Sequence, residues 1–174
     1  MAIDTYNPSD HPERIISTTA VEFGCTRHVV PTLHVMQYDN SIPVIAVKLY
    51  KNGEECAVPT QITDIMVRWG KPDKTFVIKS ILGLSSDRKT AYFEVDDQMT
   101  LLDGKSTPIL ELKINSISRG GSSGMPFIID RNPVQREDIE STSYYQDLAT
   151  YVIRALEAAE RAEAAALTVT SAQD

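Results

Sequence analysis

Between Arg14 and Ser118 the chain never repeats apolar residues at helical spacing. It runs instead as short β-branched or alternating segments separated by turn signals, and this rhythm most constrains the fold. Ile15 to Phe23 is rich in β-branched residues. His28 to Tyr38 continues in the same manner until Pro31, which removes a ladder donor and predicts an edge strand or a break. Ile42 to Tyr50 reads as a strand, Asn52–Gly53 as a hairpin turn, and the segment near Val58 to Ile62 as its return. Ile65, Val67 and Trp69 alternate with Met66 and Arg68. The turn Gly70–Lys71–Pro72–Asp73 then leads into Thr75 to Ile81, a second hairpin. Ser85 to Arg88 is a further turn. Ala91, Phe93 and Val95 alternate with Tyr92 and Glu94, Leu101–Leu102 precede the turn Asp103–Gly104–Lys105, and Leu110, Leu112 and Ile114 alternate with Glu111, Lys113 and Asn115. Half-buried alternation argues against a parallel sheet, whose strands read as continuous apolar runs. The expectation is a mainly β protein: an antiparallel β-sandwich over residues 14–118, with about eight strands.

A different period governs the C-terminal part. Tyr145, Leu148, Val152, Ala155, Ala159, Ala162 and Ala166 recur at alternating steps of three and four, a heptad seam. Ser143 with Gln146 is a capping-box start, Glu157 and Arg161 are placed for an i, i+4 ion pair, and no Gly or Pro intervenes. The spacing predicts one long C-terminal α-helix forming a helical bundle or coiled-coil stalk. Its flanking positions, Ala149, Tyr151, Leu156, Ala158 and Ala165, are too apolar for a two-stranded zipper and suit several neighbours. The competing reading is a helix docked on its own domain. The expected oligomer interface is Tyr145, Leu148, Val152, Ala155, Leu156, Ala159, Ala162 and Ala166. The predicted organisation is a polar N-terminal arm over 1–13, ordered only where a partner holds it, the sandwich over 14–118, a linker over 119–134, the oligomerising helix over 135–168 and a tail over 169–174. The linker joins the flexible loop Arg119 to Gly124 to an apolar tether, Met125 to Val134. Asn132, Pro133 and Gln135 give a second capping signal.

The formal net charge of -7 and pI of about 5.0 disfavour binding nucleic acid through a basic surface. The longest apolar runs fall short of a membrane span. The polar N-terminus has no apolar core of the kind a signal peptide needs, so synthesis in a cytoplasm is expected. Two cysteines set no disulfide framework. Cys25, His28 and His34 are the only clustered soft ligands and lack a fourth nearby, so edge-strand polar groups are expected there rather than a metal site. The Gly120 to Gly124 loop lacks the lysine of a phosphate cradle. Glu54–Glu55 and Asp96–Asp97 read as solvated turn residues. Trp69, Tyr92 and Phe93 could stack on sugar, yet the alternation turns Trp69 and Phe93 inward. No catalytic set, cofactor site or metal site is expected, and the chain reads as a non-enzyme.

The order of elements adds a resemblance. A polar arm is followed by IPVIAVKLYKNGEE (residues 42–55), ITDIMVRWGKPDKTF (62–76), KTAYFEVDDQMTLLDGKSTPILELKI (89–114), the D-R-N-P of 130–133 and the alanine-rich run. This resembles the N-terminal domain of phage upper baseplate proteins, found also in prophage tail and fibre proteins. The resemblance implies a sandwich that anchors to the tail and a stalk that gathers copies as a homotrimer. It implies a virion structural protein: a homo-oligomeric adaptor linking the tail or baseplate to receptor-binding parts for host attachment. Its partners would be copies of itself and other tail proteins, with host surface glycan reached indirectly, no nucleic acid and no membrane insertion. The alternative function is a carbohydrate-binding β-sandwich that contacts host glycan itself.

Overall fold

The computed structural model describes residues 3–25 and 29–133, with the backbone of Tyr144–Tyr145. The chain divides into two units, Met1–Tyr144 and Tyr145–Asp174, and the architecture below is that of the first. Along the chain come β1 (Ile15–Glu22), β2 (Leu33–Met36), β3 (Pro43–Lys51) and β4 (Glu54–Glu55). Then follow β5 (Asp64–Gly70), β6 (Phe76–Ser80), β7 (Gly83–Leu84), β8 (Thr90–Glu94) and the single helical turn α1 (Asp97–Thr100). β9 (Gly104–Ser106), β10 (Ile109–Ile114), β11 (Ile117–Gly121), β12 (Phe127–Asp130) and β13 (Tyr144–Tyr145) complete it.

Turn chemistry places the hairpins. Asn52 and Gly53 both take left-handed backbone, φ 55° and 85°, the pair of positive angles that a type I′ turn demands, and β3 turns back there into β4. The Asp73 carboxylate accepts the Thr75 amide at 3.0 Å and closes the β5–β6 turn. Asn115 and Ser116, φ 49° and 68°, do the same between β10 and β11. The Asp96 side chain caps α1 by accepting the Met99 amide at 2.9 Å.

Three sheets result. The first runs β1-β3-β8-β7 with β4 on β3, the second β11-β10-β5-β6-β13, and the third β2-β12-β9. One apolar core joins them. It takes Ile45, Val47 and Leu49 from β3, Ala91 and Phe93 from β8, Ile65, Val67 and Trp69 from β5, Leu110 from β10, and Phe127 and Ile129 from β12. Trp69 is fully buried, its ring 4.8 Å from Phe127 and 6.4 Å, edge-on, from Phe93.

The protein is mainly β, but its sheets are mixed rather than wholly antiparallel. β1 pairs β3 in parallel through eight residues, and β2 pairs β12 in parallel. The chain between β1 and β3 leaves the first sheet to lay β2 in the third, so β3 returns in the direction of β1, as a crossover allows and a hairpin does not. The Asn52–Gly53 return is the two-residue β4, not a strand over Val58 to Ile62. Among the described residues eleven strands begin before residue 118 where about eight were expected, the surplus being the short β4, β7 and β9.

The expected linker is built into the body. β11 extends its hairpin, and Met125, Phe127 and Ile129 alternate into the core from what reads in sequence as a tether. The expected arm is likewise folded down. Thr5 bridges Leu84, the Tyr6 amide donates to the Leu84 carbonyl at 2.9 Å, and Tyr6 is buried.

Candidate interaction surface

The expected oligomer seam falls mostly outside the described residues. Leu148, Val152, Ala155, Leu156, Ala159, Ala162 and Ala166 lie beyond them, and Tyr145 is described only as backbone, in β13 rather than in a helix. The aromatic trio does not form a sugar platform: Trp69 and Phe93 are core residues, while Tyr92 lies under Tyr6 on the opposite face of the first sheet. Cys25 is exposed, His28 is outside the described residues, and His34 Nδ1 sits 2.9 Å from the Asp130 carboxylate, pinning β2 to β12. Glu54 and Glu55 are exposed, whereas Asp96 is buried enough to act as helix cap and ion-pair partner. Ser122 and Ser123 are structural. Ser122 Oγ accepts the Leu110 amide, and Ser123 exchanges two hydrogen bonds with the Glu22 backbone.

The N-terminal segment forms an added layer over the first sheet. Val44 and Ala46 point away from the core, as the pairing of Ala46 with Tyr92 shows, yet they are 0% and 6% exposed. Above them the Tyr6 ring lies 5.1 Å from Tyr92 and stacks on His11 at 5.3 Å. Burial pushes the Tyr6 and Tyr92 hydroxyls above the usual tyrosine range. Asn7, followed by Pro8, starts a short 3-10 turn over Pro8–Asp10, the Asn7 side chain accepting the Ser9 amide.

A charge cluster fastens this layer. Arg14 donates to Glu94 Oε2 at 2.9 Å and Lys79 to Glu94 Oε1 at 2.7 Å, with Asp96 3.5 Å from the same ammonium. Burial alone would raise the Glu94 carboxyl. The hydrogen bonds and charges of Lys79 and Arg14 outweigh it and hold the group below the usual glutamate range. Lys71 is pulled below the usual lysine range by burial, opposed by Asp73 and Asp96, and donates to Gln98. Every charge in this cluster is answered by a neighbour, and its role is to hold β6, β8 and the segment before β1 together.

Several large apolar side chains also stay open to solvent. Ile15 and Ile42 are 64% and 54% exposed and lie at one end of the first sheet, where the Ile15 amide donates to the Ile42 carbonyl at 3.0 Å. Ile16 is exposed beside them, Val29 is exposed on the segment that crosses to the third sheet, and Met36 is exposed at the end of β2. A second apolar tip is Ile117 at the β10–β11 turn, where every residue of β11 is exposed. Clusters of this kind mark contact surfaces more often than single exposed side chains do. Residues 1–30 and one sheet edge are the docking region expected from the sequence, and Ile15 and Ile16 fall within it. That Ile42 joins them at the rim is not legible locally, because nothing in a strand's own residues separates rim from centre. No helix among the described residues is long and apolar enough to cross a membrane.

No family model matches the chain, and no curated protein matches it. Among solved structures, the N-terminal domain of phage TP901-1 ORF48 is similar in fold, with a TM-score of 0.55 and 9% sequence identity, over 67% of this chain and 99% of that one.

Proposed function

We propose that the chain is a structural component of a phage tail, a homo-oligomeric baseplate adaptor that joins the tail to the receptor-binding parts. The observation that supports it is the fold: 99% of a phage N-terminal domain is matched by 67% of this chain. The element order and the D-R-N-P segment at 130–133 point the same way from the sequence side. In this reading the β body docks on other tail proteins and the C-terminal seam gathers copies, three being the number the family resemblance implies. The protein works by contact alone, without catalysis, cofactor or metal. It reaches host glycan only through the parts it carries, and it resides in the virion after synthesis in the host cytoplasm.

Burying Leu148, Val152 and Leu156 would contribute roughly 1.5–3 kcal/mol each and the alanines far less, so the seam needs the β bodies or the tail to hold it. Two measurements test the proposal. Peptides of this chain are expected in purified tails, and their absence overturns the virion role. Val152→Asp is expected to lower the solution mass by light scattering while the β signature in circular dichroism stays. An unchanged mass refutes the seam.

A further inference from the structure

β1 is the outermost strand of the first sheet, and its free edge is undefended. The Ile15 amide donates to Ile42 and the Phe23 amide to Tyr50, so the odd-numbered residues face β3. Parallel pairing alternates, which leaves the amides and carbonyls of Ile16, Thr18 and Ala20 pointing outward. Among the described residues no strand pairs with that side. The open row ends at Glu22, whose amide and carbonyl are taken by Ser123 at 3.0 Å and 2.7 Å. Sheet edges are ordinarily blunted by lysine, proline, a bulge or shortness. Ile15 to Val21 reads IISTTAV, carries no charge or proline, and keeps one register with β3 over the whole strand. Thr18, at its centre, is exposed.

We infer that this edge pairs with the same edge of a second copy of the chain, antiparallel about a twofold axis through Thr18. The strand's own sequence selects that occupant. Centred on Thr18, the outward rows of two copies are complementary, with Thr18 opposite Thr18 and Ile16 opposite Ala20, while Ile15 falls opposite Val21. Arg14 falls opposite Glu22, so the register sets no like charges against each other at either end. The chain carries a net charge of -7, and this uncharged stripe adds no like-charge repulsion of its own to the approach of a second copy. A strand pair alone buries less than the roughly 1,200–2,000 Å² of a standard interface, so the exposed side chains of Ile15, Ile16 and Ile42 must add to it. The inference stands on the sheet edge and is separate from the C-terminal seam.

The test uses the full chain with exposed Cys25 replaced by serine. Thr18→Cys places one thiol on each side of the axis. Hydrogen-bonded antiparallel partners sit about 5.5 Å apart at Cα, within disulfide reach. Mild oxidation is expected to give a covalent dimer as the main species. Thr18→Lys, which sets two like charges face to face at an exposed position, is expected to lower the solution mass with circular dichroism unchanged. A Thr18→Cys chain that stays uncrosslinked, or a Thr18→Lys chain of unchanged mass, overturns the inference. The crosslink is expected to persist with Val152→Asp, so failure of the seam and failure of the edge are read separately. Loss of the crosslink in that background also overturns it.

Discussion

The carboxylate of Glu22 accepts the backbone amide of Asn52 at 2.7 Å, across the mouth of the β3–β4 turn. The same carboxylate takes the amides of Gly53 at 3.0 Å and Gly24 at 2.6 Å, and Glu22 is 2% exposed. A charge withdrawn from water is here answered by three N–H donors and ties the end of β1 to the hairpin beside it. Glu22→Gln keeps the shape but removes the charge and turns an amide donor toward these amides. The expected loss is about 1–3 kcal/mol, read as a lower urea midpoint at unchanged slope.

Gly83 is where the N-terminal segment comes closest to the first sheet. A Cβ there would lie 2.6 Å from the Asp4 carbonyl oxygen and 3.0 Å from the Tyr6 backbone nitrogen. Gly83→Ala is therefore expected to lift residues 4–6 from β7 while the core stays folded. Limited proteolysis would show cleavage before Arg14 that the parent chain resists. Gly70→Ala, with open space above it, is the matched control.

The Arg14–Glu94–Lys79 cluster gives an acid limb. The Glu94 carboxyl is held below its ordinary value of 4.5, so its folded form binds protons less readily than its unfolded form. The stabilisation is complete above the unfolded value and is lost as pH falls through the usual glutamate range toward the folded one. The melting temperature is expected to drop across that window, and Glu94→Gln is expected to flatten that part of the curve. The same variant is expected to cost about 1–3 kcal/mol at neutral pH, because Lys79 and Arg14 lose a shared partner.

Trp69 is the single tryptophan and has no exposed surface. Its emission is expected to be blue-shifted and resistant to iodide in the folded chain. Trp69→Ala, which empties the space between Phe93 and Phe127, is expected to cost about 3–5 kcal/mol.

Much of this body is visible in the residues themselves. Asn52–Gly53, Pro72–Asp73 and Ser85–Arg88 announce their turns, because positive φ and preset φ belong to few side chains. The inward set Ile65, Val67, Trp69, Phe93 and Leu110 follows from alternation alone. The direction of β1 against β3 does not, since alternation fixes which face is buried and says nothing about which distant strand lies alongside or how it points. Tyr6 was hidden by its polar neighbours, and only the solitary aromatic among them, with Ile3, marked a segment with something to bury. In 125–130 a signal was present: Met125, Phe127 and Ile129 step in twos, a strand pattern outweighed by the glycine-rich loop before it. Of the candidate surface, the composition of β1 was readable but its place at the rim was not, because rim and centre are properties of the assembled sheet.

β12 lies between β2 and β9, so neither of those strands has its partner until the chain has been synthesised past Asp130. A ribosome-bound chain must hold Val35 and Ser106 in waiting while everything between them is already made. An early stop codon ahead of Phe127 would therefore yield no smaller working version of the body, but a polypeptide with two bare strand edges and a missing wall, a natural client for chaperones and proteases.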